Sequence, residues 1–188
     1  RVRKALSYAV NRKVLAEKVL GTGEIPAYTF VPNIVSGYTA PVPEYQKWTQ
    51  KEREAKALKL LTEVGITKSN PLKFELLYNT SEQHKRNALA IASMWKKAFK
   101  GAVIVTLKNQ EWKTYLDEKK KGNYQVARAG WIGDYNEAST MLDLLTVGHS
   151  SNNSFYNNPK YDKLMNEART TTDNAKRNKL YQQVDLMV

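Results

Sequence analysis

Three short apolar runs separated by two helical stretches constrain this chain more than any other feature. Leu72 to Tyr78 (LKFELLY), Ala102 to Leu107 (AVIVTL) and Tyr124 to Gly130 (YQVARAG) read as strands, bounded by polar or glycine-containing turns. Between the first two lies Ser81 to Phe99, in which Ala88, Leu89, Ile91, Ala92, Met94, Trp95 and Ala98 recur at helical spacing. Between the second and third, Asn109 or Gln110 opens a shorter helix that runs to Lys121. Strands joined through helices of this length predict an α/β fold, with a parallel or mixed sheet flanked by helices. AVIVTL is almost wholly apolar and is expected to be a central strand. In such sheets ligands sit beyond the C-terminal ends of the strands. Two polar loops fall there, Asn79 to His84 and Trp131 to Tyr135.

The flanking segments are helical or irregular. Arg1 to Leu20 carries an amphipathic pattern that Asn11-Arg12 interrupts and Gly21 stops. Thr49, with Glu52 three residues on, forms a capping box for a helix ending at Gly65. Pro26, Pro32, Pro41 and Pro43 exclude a regular helix between them. Tyr28, Phe30, Tyr38, Tyr45 and Trp48 supply anchors there, so this stretch is expected to pack on a surface, with no domain boundary inside it. After a weak helix over Glu137 to Leu145 and a Ser/Asn-rich loop, Asn158-Pro159 opens one helix and Asp173 caps another. The chain begins at Arg1 inside helical periodicity and stops inside an apparent helix, which is read as a fragment of a longer protein.

Composition excludes several kinds of chemistry. With 188 residues, 41% of them hydrophobic, the chain can bury a sizeable core. It has no cysteine, hence no disulfide, no thiolate zinc site and no cysteine nucleophile. His84 and His149 are its only histidines and lack any metal-ligand spacing, so no metal is expected. Nucleotide-binding glycine motifs and the hydrolase elbow are absent, and no cofactor or catalysis is expected. The net charge of +12 raises a basic nucleic-acid-binding domain as a reading. Many of the basic residues alternate with glutamates along helices, however, as on a solvated face, and no nucleic acid partner is expected.

The stretch YQVARAGWIGDYNEAST, Tyr124 to Thr140, concentrates the remaining signal. A carboxylate, Asp134, stands between Trp131 and Tyr135 at the end of a strand, with glycines at 130 and 133. That arrangement suits a small cationic ligand group. A structural alternative is a strand-to-helix turn in which Asp134 or Asn136 caps the next helix.

These residues carry a resemblance. GWIGDYNEAST, together with LLYNTSEQHKRNALAIASMWKK, NQEWKTYLD and NNPKYDKLMNEA, resembles the C-terminal lobe of bacterial extracellular solute-binding proteins of the oligopeptide-binding class. The resemblance covers nearly the whole chain and implies one lobe of a two-lobed periplasmic-binding-protein fold, residues 1–188 being the peptide-binding lobe. It implies the substrate-binding component of an ABC importer, not an enzyme, that closes over short peptides and docks on a membrane permease. The missing N-terminal lobe is a further implied partner. The implied location is periplasmic, or lipid-anchored and extracellular in a Gram-positive bacterium. Murein peptide, dipeptide and haem receptors of the same superfamily are alternatives.

The same resemblance implies roles for individual residues. Asp134 receives the peptide α-amino group, and Trp131 and Gly130 line the start of the peptide. Arg128 and His84 meet its C-terminal carboxylate. Trp112 lines a pocket, and Asn79 is a candidate from the His84 loop. Alternatives stay open: an ion pair for Arg128, a solvated histidine for His84 and core packing for Trp112. Lys119 stands where the best-known members of that family carry an arginine, and no ligand contact is carried over to it.

Overall fold

The computed structural model describes all 188 residues, Arg1–Val188. Its sheet has three strands in the order β2–β1–β3: β1 is Leu72–Asn79, β2 is Val103–Gln110 and β3 is Val126–Ala127. Both pairings are parallel, and the β1–β2 register runs from Leu72 opposite Val103 to Asn79 opposite Gln110. The α/β reading holds, with a correction to the strand order. β1 is central, and β2, which carries most of the AVIVTL run, is an edge of this sheet. Phe74, Leu76, Leu77 and Tyr78 of β1 are buried, whereas Ile104 of β2 is 46% exposed. Apolar content does not distinguish a two-sided strand from an edge; the number of hydrogen-bonded neighbours does. β3 is also shorter than the expected Tyr124 to Gly130. Its pairing ends with the Arg128 N–H donating to the Leu77 carbonyl at 2.8 Å, after which the chain leaves the sheet.

The chain forms two compact units. One comprises Arg1–Pro26, Glu44–Lys119 and Asn123–Ala129; the other comprises Ala27–Pro43, Lys120–Gly122 and Gly130–Val188. The proline-rich stretch, expected to contain no boundary, is therefore divided at Pro26 and again at Pro43. Its aromatic anchors serve different cores. Tyr38 is buried with Val31 and Val35 in the second unit, whereas Tyr45 and Trp48 pack on Tyr8 in the first.

The first unit holds the sheet with α1 (Val2–Ala9), α2 (Arg12–Val14), a π-helical turn (Leu15–Leu20), a short 3-10 turn (Glu44–Lys47), α3 (Gln50–Thr62) and α4 (Glu82–Ala98). α5 (Trp112–Lys121) runs between β2 and β3 in sequence. Asn11 explains the break in the first helix: its side chain accepts the Val14 N–H at 3.0 Å and restarts the helix as α2. Gly21, at φ +70°, ends the π turn. The Thr49–Glu52 capping box of α3 forms as expected.

Trp95 of α4 is 5% exposed, packs edge-on against Phe74 and donates its indole N–H to the Leu6 carbonyl at 2.8 Å. The N–H of Val10, the helical partner that Leu6 would ordinarily receive, goes to Ser7 instead. Trp95 therefore satisfies an orphan carbonyl at the end of α1. Trp95→Phe keeps an aromatic ring against Phe74, removes the pyrrole half of the indole and strands that carbonyl. It is expected to cost roughly 1–2 kcal/mol in urea unfolding, whereas Leu89→Phe, at an exposed site on the same helix, should cost nothing measurable.

The second unit packs Val31, Val35 and Tyr38 with α6 (Ser139–Leu142), a 3-10 turn (Asp143–Leu145), α7 (Pro159–Thr170) and α8 (Asn174–Asp185). Asn158 caps α7 with Pro159 at its first position, and Asp173 caps α8. Tyr161, fully buried, donates its hydroxyl to the Leu142 carbonyl at 2.6 Å and so ties α7 to the end of α6.

Candidate functional site

The seven residues singled out in the sequence fall into two groups, one in each unit. In the first unit, β1 ends in Asn79 and the chain turns directly into α4. Ser81 caps that helix and His84 lies in its first turn. Asn79 is 7% exposed, and its Oδ1 is buried with no hydrogen-bond partner. The Nδ1 of His84 and the Oδ1 of Asn87 are buried and unpartnered in the same way. Buried polar atoms are normally satisfied, and these three fall at the end of one strand and the start of the next helix. Asn87 was not singled out from the sequence. Its signal was the i, i+3 spacing from His84, which puts both on one helix face.

Arg128 follows β3. Its backbone is fixed on both sides, the N–H by Leu77 and the carbonyl by the Tyr115 hydroxyl at 2.5 Å. The ion-pair alternative is not seen, because no carboxylate bridges its guanidinium. Its charge is felt by His84, whose pKa is held below the ordinary 6.5. Burial is the larger cause and Arg128 the second, opposed by a hydrogen bond to the Asn79 backbone. A neutral imidazole is thus the form expected at pH 7. A depressed histidine pKa stabilises the fold above the unfolded value near 6.5, and that contribution is lost as pH falls through it. Proton-detected titration of His84 should give a midpoint below 6.5 that rises in Arg128→Met.

Trp112 is 56% exposed at the start of α5, so it is not a core residue. It stacks on Tyr115, with centroids 5.6 Å apart, and Tyr115 is itself 1% exposed. Lys119 places its ammonium over the other part of this cluster, 4.9 Å from the Tyr115 ring centroid. Tyr115 therefore organises Trp112, Lys119 and the Arg128 backbone together, a role that helical spacing hinted at and burial decided.

In the second unit, Gly130, Trp131 and Asp134 lie on the exposed loop between β3 and α6. Trp131 is 39% and Tyr135 51% exposed. The carboxylate of Asp134 caps nothing. The N-cap of α6 is Ala138, without a side-chain bond, and Asn136 instead accepts the Ser36 N–H at 2.9 Å and donates to the Ser36 hydroxyl at 2.8 Å. Glu137 takes the capping work, accepting from both the N–H and the hydroxyl of Ser139. The Asp134 backbone N–H donates to Thr140 Oγ1 at 2.9 Å. A side chain at Gly133 would place its Cβ 3.0 Å from Thr140 Cγ2, so the Thr140 methyl would have to give by a few tenths of an ångström to admit one. The outcome is a free carboxylate on a braced loop that also carries the partly exposed Trp131 and Tyr135.

An open cavity of about 490 Å³ also lies in the second unit, lined by Lys120, Val147, His149, Asn152, Phe155 and Tyr156 among others. None of the seven residues contributes to it.

Comparisons with known proteins converge on one family. The model of bacterial extracellular solute-binding proteins, family 5 Middle, matches residues 1–153. The chain is 50% identical over 181 residues to the periplasmic murein peptide-binding protein MppA of Escherichia coli, covering 96% of this chain and 33% of that one. It is 48% identical over 181 residues to the periplasmic oligopeptide-binding protein OppA of Haemophilus influenzae, covering 96% and 34%. The structure of Haemophilus influenzae OppA in complex with RPPGFSPFR superimposes with a TM-score of 0.96 at 45% identity, over 99% of this chain and 36% of that one. The chain spans about a third of the length of these relatives.

Proposed function

The chain belongs to the bacterial extracellular solute-binding proteins of family 5, and from that membership we propose that it is the peptide-binding lobe, residues 1–188, of a periplasmic receptor that delivers short oligopeptides to an ABC importer. It binds and hands over its ligand without reacting with it. The observation that carries this reading is the Asp134 carboxylate: exposed, bound to no group of its own chain, and held on a loop whose backbone is fixed by Thr140 and Asn136. A peptide α-ammonium is cationic at neutral pH and makes a short, charge-assisted bond to such a group. Trp131 and Gly130 lie beside it for the first residues of the peptide.

The first unit carries groups suited to a peptide carboxylate. Arg128, without a carboxylate partner, presents a planar fork that matches one. Asn79 and His84 add buried polar atoms that lack partners, and Trp112 adds an exposed ring. With His84 neutral, its part is hydrogen bonding rather than charge. Bringing a carboxylate beside it would reverse the effect of Arg128 and favour protonation.

Murein peptide is a second reading, favoured by the 50% identity to the murein peptide-binding relative. The experiment is calorimetric titration of the full-length receptor with tri-alanine, N-acetyl-tri-alanine and a murein tripeptide. Binding of free tri-alanine that acetylation weakens by about a hundredfold supports the oligopeptide reading. Binding of the murein tripeptide alone selects the second, and equal binding of both tri-alanine forms removes the ammonium anchor.

A further inference from the structure

We propose that Thr140 is a positioning residue for the ligand ammonium: its hydroxyl oxygen, accepting the Asp134 N–H, fixes the loop so that the Asp134 carboxylate faces ligand. The inference rests on the reading of Asp134 under Proposed function and concerns a residue that does not itself touch the peptide.

The geometry carries it. Thr140 is 6% exposed, a buried hydroxyl in α6 beneath an exposed loop. Its Oγ1 lies 2.9 Å from the Asp134 nitrogen, and its Cγ2 fills the space that a Cβ on Gly133 would need. One side chain therefore makes both the polar and the packing contact to the two residues that orient the carboxylate. α6 is itself held in place. Glu137 accepts from Ser139, the Ser139 hydroxyl meets the Tyr135 hydroxyl at 2.9 Å, and Arg177 of α8 pairs with Glu137 at 3.6 Å. Asn136, between the two contacts, is fixed to Ser36. The loop is thereby pinned at Asp134, Asn136 and Ser139, and the Asp134 carboxylate is left as the group with no partner. Preorganisation of this kind reduces the ordering that binding must otherwise impose.

Threonine and valine have the same shape, so Thr140→Val keeps the Gly133 contact and removes only the acceptor. Thr140→Ser keeps the acceptor and removes the methyl. In the full-length receptor, Thr140→Val is expected to weaken free tri-alanine by up to about fivefold, the bound set by the stability that one such hydrogen bond lends the oriented loop. Affinity for N-acetyl-tri-alanine, followed by displacement, should be unchanged, and Thr140→Ser should restore the free-peptide affinity. Amide hydrogen exchange at Asp134 should quicken in the valine variant alone. Equal weakening of both peptides by valine would make Thr140 a merely structural residue and overturn the proposal. So would unchanged free-peptide affinity in the valine variant while Asp134→Asn still weakens it; the ammonium reading would then survive. If Asp134→Asn itself has no effect, the ammonium reading fails first and the role of Thr140 falls with it.

Discussion

Asp134→Ala in the full-length receptor is expected to lower affinity for free tri-alanine by about a hundredfold, the ~3 kcal/mol of a desolvated charge-assisted bond. The size reflects what the variant leaves behind. An α-ammonium brought out of water needs a counter-charge, and no other acid in the loop from Gly130 to Asn136 offers one. Asp134→Asn retains an acceptor of the same shape without the charge and should fall between wild type and alanine. The informative measurement is the double cycle. Acetylation of the peptide and removal of the carboxylate destroy the same interaction, so the second change should add little once the first is made. Additive losses would show that Asp134 and the peptide amino group act independently, and the anchor would have to be sought elsewhere. Because the carboxylate is exposed and unpaired within its own chain, its removal should leave the thermal midpoint of the ligand-free receptor nearly unchanged.

The greatest loss of stability is expected at Asp185. This carboxylate, 1% exposed at the end of α8, accepts the Phe30 N–H at 2.7 Å, the Val31 N–H at 3.3 Å and the Tyr38 hydroxyl at 2.9 Å. It is the buried post to which the segment Ala27–Pro43 is tied. Asn178 and Gln182 of the same helix add bonds to the Gly37 and Thr39 carbonyls. Alanine at 185 would leave three donors without an acceptor in a core that excludes water, and should cost roughly 3–5 kcal/mol. Asparagine, which keeps one acceptor oxygen, should cost less. The pH dependence has a definite sign. Burial pushes the Asp185 pKa above the ordinary 3.8, against the opposing pull of its three hydrogen bonds. The folded protein therefore holds this proton more tightly than the unfolded chain. The contribution of Asp185 to stability falls as pH rises from 3.8 through the raised value, and is flat above it. Guanidinium unfolding of wild type and Asp185→Asn across this interval should show that component of the slope in the wild type alone. A parallel pair of curves would mean that Asp185 titrates as it does in the unfolded chain.

Much of the α/β frame is legible in the chain itself, and the reason is local. Ser81, Thr49, Asn158 and Asp173 cap their helices because a short polar side chain meets an N–H two or three residues away, and that relation is written in adjacent positions. The alternation of strands and helices is legible for the same reason, as is the concentration of Trp131, Asp134 and Tyr135 in one loop. The break at Asn11 is marked too, although the π-helical form of Leu15–Leu20 is not.

Other features are settled only where distant parts of the chain meet. AVIVTL is central by composition, yet β1 acquires two neighbours and β2 one. The anchors of the proline-rich stretch give no sign that they serve two cores. Asp134 and Asn136 are equally suited to capping until Ser36, 100 residues away, claims Asn136 and Thr140 claims the Asp134 N–H. Asp185 has no distinguishing signal, since its partner Phe30 lies 155 residues earlier. Local preference is enough to set which residues form helices and strands and which loop carries the chemistry, because dihedral bias and capping act over about one helical turn. Which carboxylate is buried as a tether and which is left free for ligand is a matter of packing, because it depends on the donors that the folded chain brings within hydrogen-bond reach.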